Sequence, residues 1–366
     1  MRIALIQKKV RWAGQPHHVL ALAIGLRELG HQIFLVSQPG SEFAARATEA
    51  GFAIFDLPMT SSRSMMSLPL QAAAVIKLTR FVRQHQIEIL HCHDSRDHQI
   101  GCVVAALTGV RLIRTKHNTL PLLNAGSRWV YGPRSSHLIA VAEAVRQGLI
   151  RDGIDPDHVT TVHNFVDSET YRARSPDPEL RRALSFPEGA PIIGTLGRLH
   201  RAKGIGDLVR AMPAIISEAP EARFLLVGGS YLWWPPMVKE LGLEDRCVFT
   251  GSVPNVTDFL SLMDVVVFPT LREALSLSIL EAMCAARAVV ATNVGGNPEL
   301  IRHDVDGLLI EPERPDQIAA AVSRLLQDAD LRHTLAMKGQ ETATKLFTKE
   351  RCLEATESVY RKTLGG

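Results

Sequence analysis

RIALIQKKVRWAGQPHHVLALAIGLRELGHQIFLVSQPGSEFAARATEAGFAIFDL, residues 2–57, sets a rhythm that the rest of the chain keeps. RIALIQ, QIFLVS and FAIFDL are short runs of apolar and β-branched residues, and the segments between them, near 17–29 and 41–50, space their apolar residues as helices do. Strand and helix alternating at this length indicate a doubly wound parallel sheet. The pattern continues outward through a helix near 68–85, IEILHCH, a helix near 97–108, RLIRTKH and HLIAVA, which completes one Rossmann-like unit. A polar, Pro- and Arg-containing stretch, YRARSPDPELRRALSFPEGA at 171–190, interrupts it and reads as a linker. The alternation then restarts with PIIGTLG, a helix at 205–218, RFLLVGG, a helix at 235–241, CVFTGS, a helix at 255–262, VVVFP, a helix at 276–285, AVVAT and GLLIEP. Two α/β domains are therefore expected, 1–170 and 191–348, with a last helix within 349–366 returning to the first.

Size and composition agree with two domains. A chain of 366 residues exceeds what one hydrophobic core usually supports, and a cleft between two such units is a natural ligand site. With 46% apolar and 22% charged residues the composition is globular, and no run approaches the roughly 20 apolar residues needed to span a bilayer. MRIALIQ leads straight into a strand pattern and lacks the features of a secretory signal, so a cytoplasmic location is expected. Cys92, Cys102, Cys247, Cys284 and Cys352 are odd in number and have no CxxC spacing, which fits reduced thiols rather than a zinc site. Residues 1–170 carry 18 Lys and Arg against 13 Asp and Glu, and also 11 of the 14 histidines, so this half is expected to gain positive charge in mild acid. Such a bias would suit an anionic membrane surface or a phosphorylated partner; an unpartnered basic surface reads equally well. Nucleic acid is not indicated, because no basic run is interleaved with aromatics.

Two segments of the second half carry chemistry. GTLGRLHRAKG, 194–204, ends a strand at glycines and delivers Arg198 and Lys203 into the following loop, where two cations suit a diphosphate. A glycine-rich turn with two solvated cations is the plain alternative. FPTLREALSLSILEAMCAARAVVATNVGGNPEL, 268–300, puts Glu273 in a loop and Glu281 eight positions later in a helix, whose first N–H groups around Ala274, Leu275, Ser276 and Leu277 would face an anion. A carboxylate accepts two hydroxyl donors at once, so Glu281 suits a ribose diol and Glu273 a sugar hydroxyl, whereas a surface acid is the commoner fate of a lone Glu. Gly295 and Gly296 mark a second tight exit from a strand.

GRLxxxKG, the E-x7-E pair, their separation and VVATNVGGNPELI together resemble the GT-B-fold, family 4 retaining glycosyltransferases, over essentially the whole chain. The resemblance implies two Rossmann-like domains facing a cleft, an amino-terminal acceptor domain and a carboxy-terminal nucleotide-sugar donor domain. It implies no divalent metal or other cofactor, and by family habit a UDP-sugar. Residue by residue, it assigns Arg198 and Lys203 to the donor diphosphate, Glu281 to the ribose, Glu273 to the transferred sugar, and the turn after Glu273 to the distal phosphate and sugar. Gly14, in RWAGQPHHVLALAIGL, matches the family's first phosphate loop, although Ala13 stands where a second glycine is usual. His18 matches the family's helix-opening histidine; a packing or capping role is the plainer reading. His117, in RTKHN, matches the histidine near the reacting centre, where front-face attack would have it position the substrate rather than act as nucleophile. VHNFVD, 162–167, is similar to VxNGVD with Phe165 in place of glycine.

His91, Cys92, His93, Asp94 and His98 invite a metal reading, which is set aside because His91 and His93 fall on one side of a strand and Cys92 on the other. The loops 59–70 and 120–134 would recognise the acceptor. Met and Leu beside Arg63, Arg128 and Arg134 fit a cell-envelope glycan or glycolipid, such as lipopolysaccharide core, met at the membrane. A nucleotide-sugar 2-epimerase of the same bilobal fold is a second reading, against which the KG and E-x7-E pair stands. A non-catalytic sugar-nucleotide-binding protein is a third. A dinucleotide-dependent dehydrogenase is disfavoured because no GxGxxG follows the first strand.

Overall fold

The computed structural model describes residues 1–59, 68–229 and 232–365. They form two compact units, Met1–Asn164 with Lys349–Gly366, and Phe165–Thr348. The first holds the strands β1 (Arg2–Gln7), β2 (Gln32–Ser37), β3 (Ile54–Asp56), β4 (Ile89–Cys92), β5 (Arg111–Lys116), β6 (His137–Ala140) and β7 (Val159–Thr161), all parallel, in the order β3-β2-β1-β4-β5-β6-β7. The second holds β8 (Ile192–Leu196), β9 (Arg223–Val227), β10 (Cys247–Gly251), β11 (Val265–Phe268), β12 (Ala288–Thr292) and β13 (Leu308–Ile310), again parallel, in the order β10-β9-β8-β11-β12-β13.

Helices cover both faces of a parallel sheet, so its strands must be apolar throughout. Accordingly, Val265 to Phe268 and Ala288 to Thr292 are buried at every position. In each unit the strand order reverses beside its first strand, between β1 and β4 and between β8 and β11. Loops leaving the carboxyl ends of two such neighbours diverge to opposite faces and open a crevice, which is where open α/β sheets bind ligands.

The carboxy-terminal helix Lys349–Leu364 packs on the helix Gly14–Glu28 of the first unit, fixed by Lys349 to Glu28 at 2.5 Å and by His31 to Glu357 at 3.0 Å. Several elements escape the sequence reading. The helix Pro178–Ala183 lies inside the polar stretch, opened by Pro178 and capped by the Asp177 carboxylate, which accepts from the N–H groups of Glu179 and Leu180. Two long helices, Pro315–Gln327 and Ala329–Leu346, follow β13, separated by Asp328, whose side chain caps the second. Helix Gly14–Glu28 starts three residues ahead of the position expected from the sequence, because Gly14 and Gln15 are already helical before the apolar stripe begins. Phe165, where the family motif has glycine, buries its ring.

Candidate active site

In the second unit, β8 and β11 each run out into a loop, and two glycines set how closely their neighbours pack. Gly204, at φ +65°, lies so near the Pro269 carbonyl that a Cβ there would sit 1.7 Å from its oxygen. Gly295, at φ +55°, stands in the same relation to the Glu273 carbonyl, also at 1.7 Å. The two loops are further tied by Leu271 N–H to Ala202 O at 3.0 Å, and the loop after β11 is held to the end of β12 by the Thr292 hydroxyl donating to Thr270 O at 2.5 Å. Lys203 and Glu273 are thereby brought into direct contact, ammonium on carboxylate, across the point where the strand order reverses. Glu273 is mostly buried and its other oxygen accepts from Ala274 N–H at 3.2 Å, which takes that N–H out of the expected anion cradle.

Beyond Glu273, Ala274, Leu275 and Ser276 are buried, and the helix Leu277–Cys284 begins with the Ser276 hydroxyl capping Ile279 N–H. Its first-turn N–H groups have no intrahelical acceptors, as at any helix start. Glu281 sits one turn into that helix, its carboxyl pushed up to about 7 by burial, a rise that the hydroxyl of Tyr171 opposes by hydrogen bonding to it. Arg198 lies exposed on the loop after β8. That loop is braced by Leu199, whose N–H donates to Gly229 O at 2.8 Å and whose carbonyl accepts the Trp234 indole N–H at 2.6 Å. Trp234 is buried, whereas Trp233 is exposed and stacks under the Arg201 guanidinium at 4.7 Å.

In the first unit the carboxyl ends of β1, β4 and β5 gather histidines. His117 follows β5, and its Nε2 lies 3.1 Å from Nδ1 of His93, the residue after β4. His18, on the helix Gly14–Glu28, packs edge-on against His117 with ring centroids 5.8 Å apart. The N-cap of that helix is Ala13, with no side-chain cap bond, so His18 packs rather than caps. Gly14 opens the helix exposed and without positive φ, so its conformation does not itself demand glycine. Below them, His91 is held between two hydroxyls, Tyr360 on Nδ1 at 2.6 Å and Thr115 on Nε2 at 2.7 Å. Gln15 donates to the His93 carbonyl at 2.8 Å, joining the first turn of the helix Gly14–Glu28 to the end of β4.

Burial holds these rings neutral. It lowers His18 to about 4 and His91 to about 3, and it puts His93 and His117 well below the ordinary histidine value. His31, His98, His137 and His158 are lowered too, burial being the first cause in each. The expected gain of charge in mild acid therefore does not occur at most histidines of this half. Cys92 points away from His91 and His93 into the apolar core, where burial raises its thiol. Among the described residues no three His, Cys, Asp or Glu side chains are grouped to hold a metal ion. Arg128 is exposed on the short helix Ala125–Tyr131, with Arg134 over the Trp129 ring at 4.2 Å. Arg63 lies outside the described residues. No described helix is long and apolar enough to cross a membrane.

Two adjoining family models match the chain, Glycosyltransferase Family 4 over residues 12–170 and Glycosyl transferases group 1 over residues 190–328. The chain belongs to the family 4 glycosyltransferases. It is an enzyme of the GT-B fold. Over 355 residues this glycosyltransferase is 26% identical to N-acetyl-alpha-D-glucosaminyl L-malate synthase of Bacillus anthracis, covering 93% of this chain and 91% of that one. Among solved structures, a glycosyltransferase from Rickettsia africae superposes with a TM-score of 0.89 at 18% identity, covering 99% and 98% of the two chains. Anabaena Alr3699/HepE in complex with UDP superposes with a TM-score of 0.86 at 19% identity, covering 99% and 100%. At those identities the likeness is one of fold.

Arg198, Lys203, Glu273 and Glu281 lie in the second unit, and Gly14, His18 and His117 in the first. Sequence reasoning missed Tyr171, which looked like linker, and Tyr360, which looked like the face of a terminal helix. It weighed His93 only as a metal ligand. Nothing local marks the two tyrosines, since their partners, Glu281 and His91, are 110 and 269 positions away.

Proposed function

We propose that this glycosyltransferase is retaining and metal-independent, taking its sugar from a nucleoside-diphosphate sugar, with UDP as the favoured leaving group, and delivering it to a cell-envelope glycan or glycolipid. The contact of Lys203 with Glu273, set by Gly204 and Gly295, supports the donor half most directly. A departing nucleoside diphosphate gains negative charge as the glycosidic bond breaks. In this reading Arg198 and Lys203 offset that charge, a task that otherwise falls to a divalent cation. Glu273, released from Lys203, accepts hydroxyls of the sugar, and Glu281 accepts the ribose diol. The acceptor hydroxyl bonds to the anomeric carbon on the face from which the phosphate leaves, and a phosphate oxygen takes its proton. His117 orients the sugar end.

The acceptor class rests on the segment 120–134. Leu120, Leu123 and Trp129 are 57%, 84% and 51% exposed there, beside Arg128 and Arg134, a combination that suits a lipid surface with anionic head groups. A second reading is a small soluble acceptor, favoured by the Bacillus anthracis relative, which is named for L-malate. Incubation with UDP-sugars in EDTA, with liposomes bearing glycolipid acceptors in one arm and small hydroxy acids in the other, separates the two. Labelled lipid product whose anomeric configuration matches the donor is expected. Product in the hydroxy-acid arm alone would replace the acceptor assignment, and an inverted product would overturn the retaining mechanism.

A further inference from the structure

The histidine pair at the ends of β4 and β5 has a proton arrangement that its surroundings fix. His93 is 1% exposed, and its only hydrogen-bonded ring nitrogen is Nδ1, which faces Nε2 of His117 at 3.1 Å. Its Nε2 is enclosed and has no hydrogen-bond partner among the described residues. His91 offers none, since both its nitrogens are engaged by Tyr360 and Thr115. Two neutral imidazoles sharing one hydrogen bond have two arrangements. If His117 donates from Nε2, the His93 proton must sit on Nε2, a buried N–H with nothing to receive it. If His93 donates from Nδ1, what remains on its Nε2 is a lone pair. Buried N–H groups without an acceptor are rare in folded proteins, so the second arrangement, which strands no donor, is favoured.

We infer that His93 is a positioning residue: by donating from Nδ1 to Nε2 of His117 it fixes His117 as the Nδ1–H tautomer, so that His117 meets the substrate as a hydrogen-bond donor and not as a base. The inference rests on the functional reading above for the identity of that substrate. The proton arrangement itself depends only on the protein. With its Nε2 lone pair occupied, His117 has no free basic nitrogen with which to take the acceptor's proton, which is then left to the leaving phosphate. His117 is half-buried, and its Nδ1–H is suited to an oxygen of the donor, whether a sugar hydroxyl or a phosphate. Neutrality of both rings, which burial enforces, is what makes the choice of tautomer matter.

Two-bond proton–nitrogen correlation spectra of the full chain carrying labelled histidine report each tautomer, with His117 assigned by the resonances lost in His117→Gln. The wild-type protein should show His117 protonated on Nδ1. His93→Leu should release the tautomer and lower kcat roughly tenfold to a hundredfold, the scale of a small misplacement at a reacting centre. His93→Asn, which keeps an amide N–H near the position of Nδ1, should restore both the tautomer and most of the rate. A wild-type His117 protonated on Nε2 would overturn the inference. So would a folded His93→Leu variant with wild-type tautomer and rate, and if that variant does not fold, the wild-type spectrum and His93→Asn decide. The expected tautomer in a protein that transfers no sugar from any nucleotide sugar would overturn the functional reading and leave the proton assignment standing.

Discussion

Gly295→Ala separates backbone strain from misplacement of Glu273. The new Cβ would start 1.7 Å from the Glu273 carbonyl oxygen, and real Cβ contacts do not fall below 3.0 Å, so the carbonyl has to retreat by more than about 1 Å. Left-handed backbone in a non-glycine residue adds about 1–2 kcal/mol of its own. Gly189 supplies the control, because it has φ +73° and nothing within 4 Å of where a Cβ would stand, so Gly189→Ala carries the strain without the clash. In thermal unfolding the control should lose roughly 2–4 °C per kcal/mol of strain and keep its turnover. Gly295→Ala should lose more stability and, where still folded, fall about a hundredfold in kcat/KM, since Glu273 and its contact with Lys203 move with the carbonyl. Steady-state kinetics with a saturating acceptor, beside circular dichroism to confirm folding, measure both. A folded Gly295→Ala variant with the kcat/KM of Gly189→Ala would refute the assignment of Glu273 to the donor sugar.

Lys203→Ala should cut turnover by two orders of magnitude or more while shifting thermal stability little, because a partly exposed ion pair stabilises the fold by at most about 1 kcal/mol; initial rates and a melting curve on the same sample check it. Glu281, with a carboxyl near 7, should make nucleotide affinity rise as pH increases from 6 to 8, since only the ionised form accepts both ribose hydroxyls, and Glu281→Gln should flatten that profile in calorimetric titration. Acid should destabilise the first unit through its buried histidines. The unfolded chain binds protons below about 6.5 and the folded one does not until about 4 at His18 and about 3 at His91, so stability is full above 6.5 and falls through that window. For His18 alone the loss approaches roughly 3 kcal/mol, readable as a falling denaturant midpoint between pH 7 and 4 and diminished in His18→Phe.

Much of the fold could be read because its parallel strands are buried on both faces. Runs such as VVVF and AVVAT announce themselves, whereas the helix Ala329–Leu346 does not, because its apolar residues form no clear stripe; Pro315–Gln327, with Ile318, Val322 and Leu325 on one face, carried a helical signal that the sequence reading passed over. The contact of Lys203 with Glu273 was prefigured for a related reason: Gly204 beside Lys203, and Gly295 against the Glu273 carbonyl, are glycines demanded by contacts at 1.7 Å. What the sequence hides is pairing at long range. Tyr171 on Glu281, Tyr360 on His91 and His93 on His117 join residues from different elements, and no local pattern marks which polar side chain a fold will place against another. The mild-acid expectation failed for the same cause, since the composition of residues 1–170 counts histidines but not their burial.

The central claim is a metal-independent nucleoside-diphosphate site built on Lys203, Glu273 and Glu281. Thermal unfolding of the purified protein in EDTA, with UDP, GDP, their sugars and NAD added separately, tests it without an acceptor, because a ligand that binds only the folded state raises the transition by mass action. The account predicts a rise with UDP and UDP-sugars that Lys203→Ala and Glu281→Gln both diminish. No rise with any nucleotide until a divalent metal is supplied, or a rise with NAD alone, would contradict it.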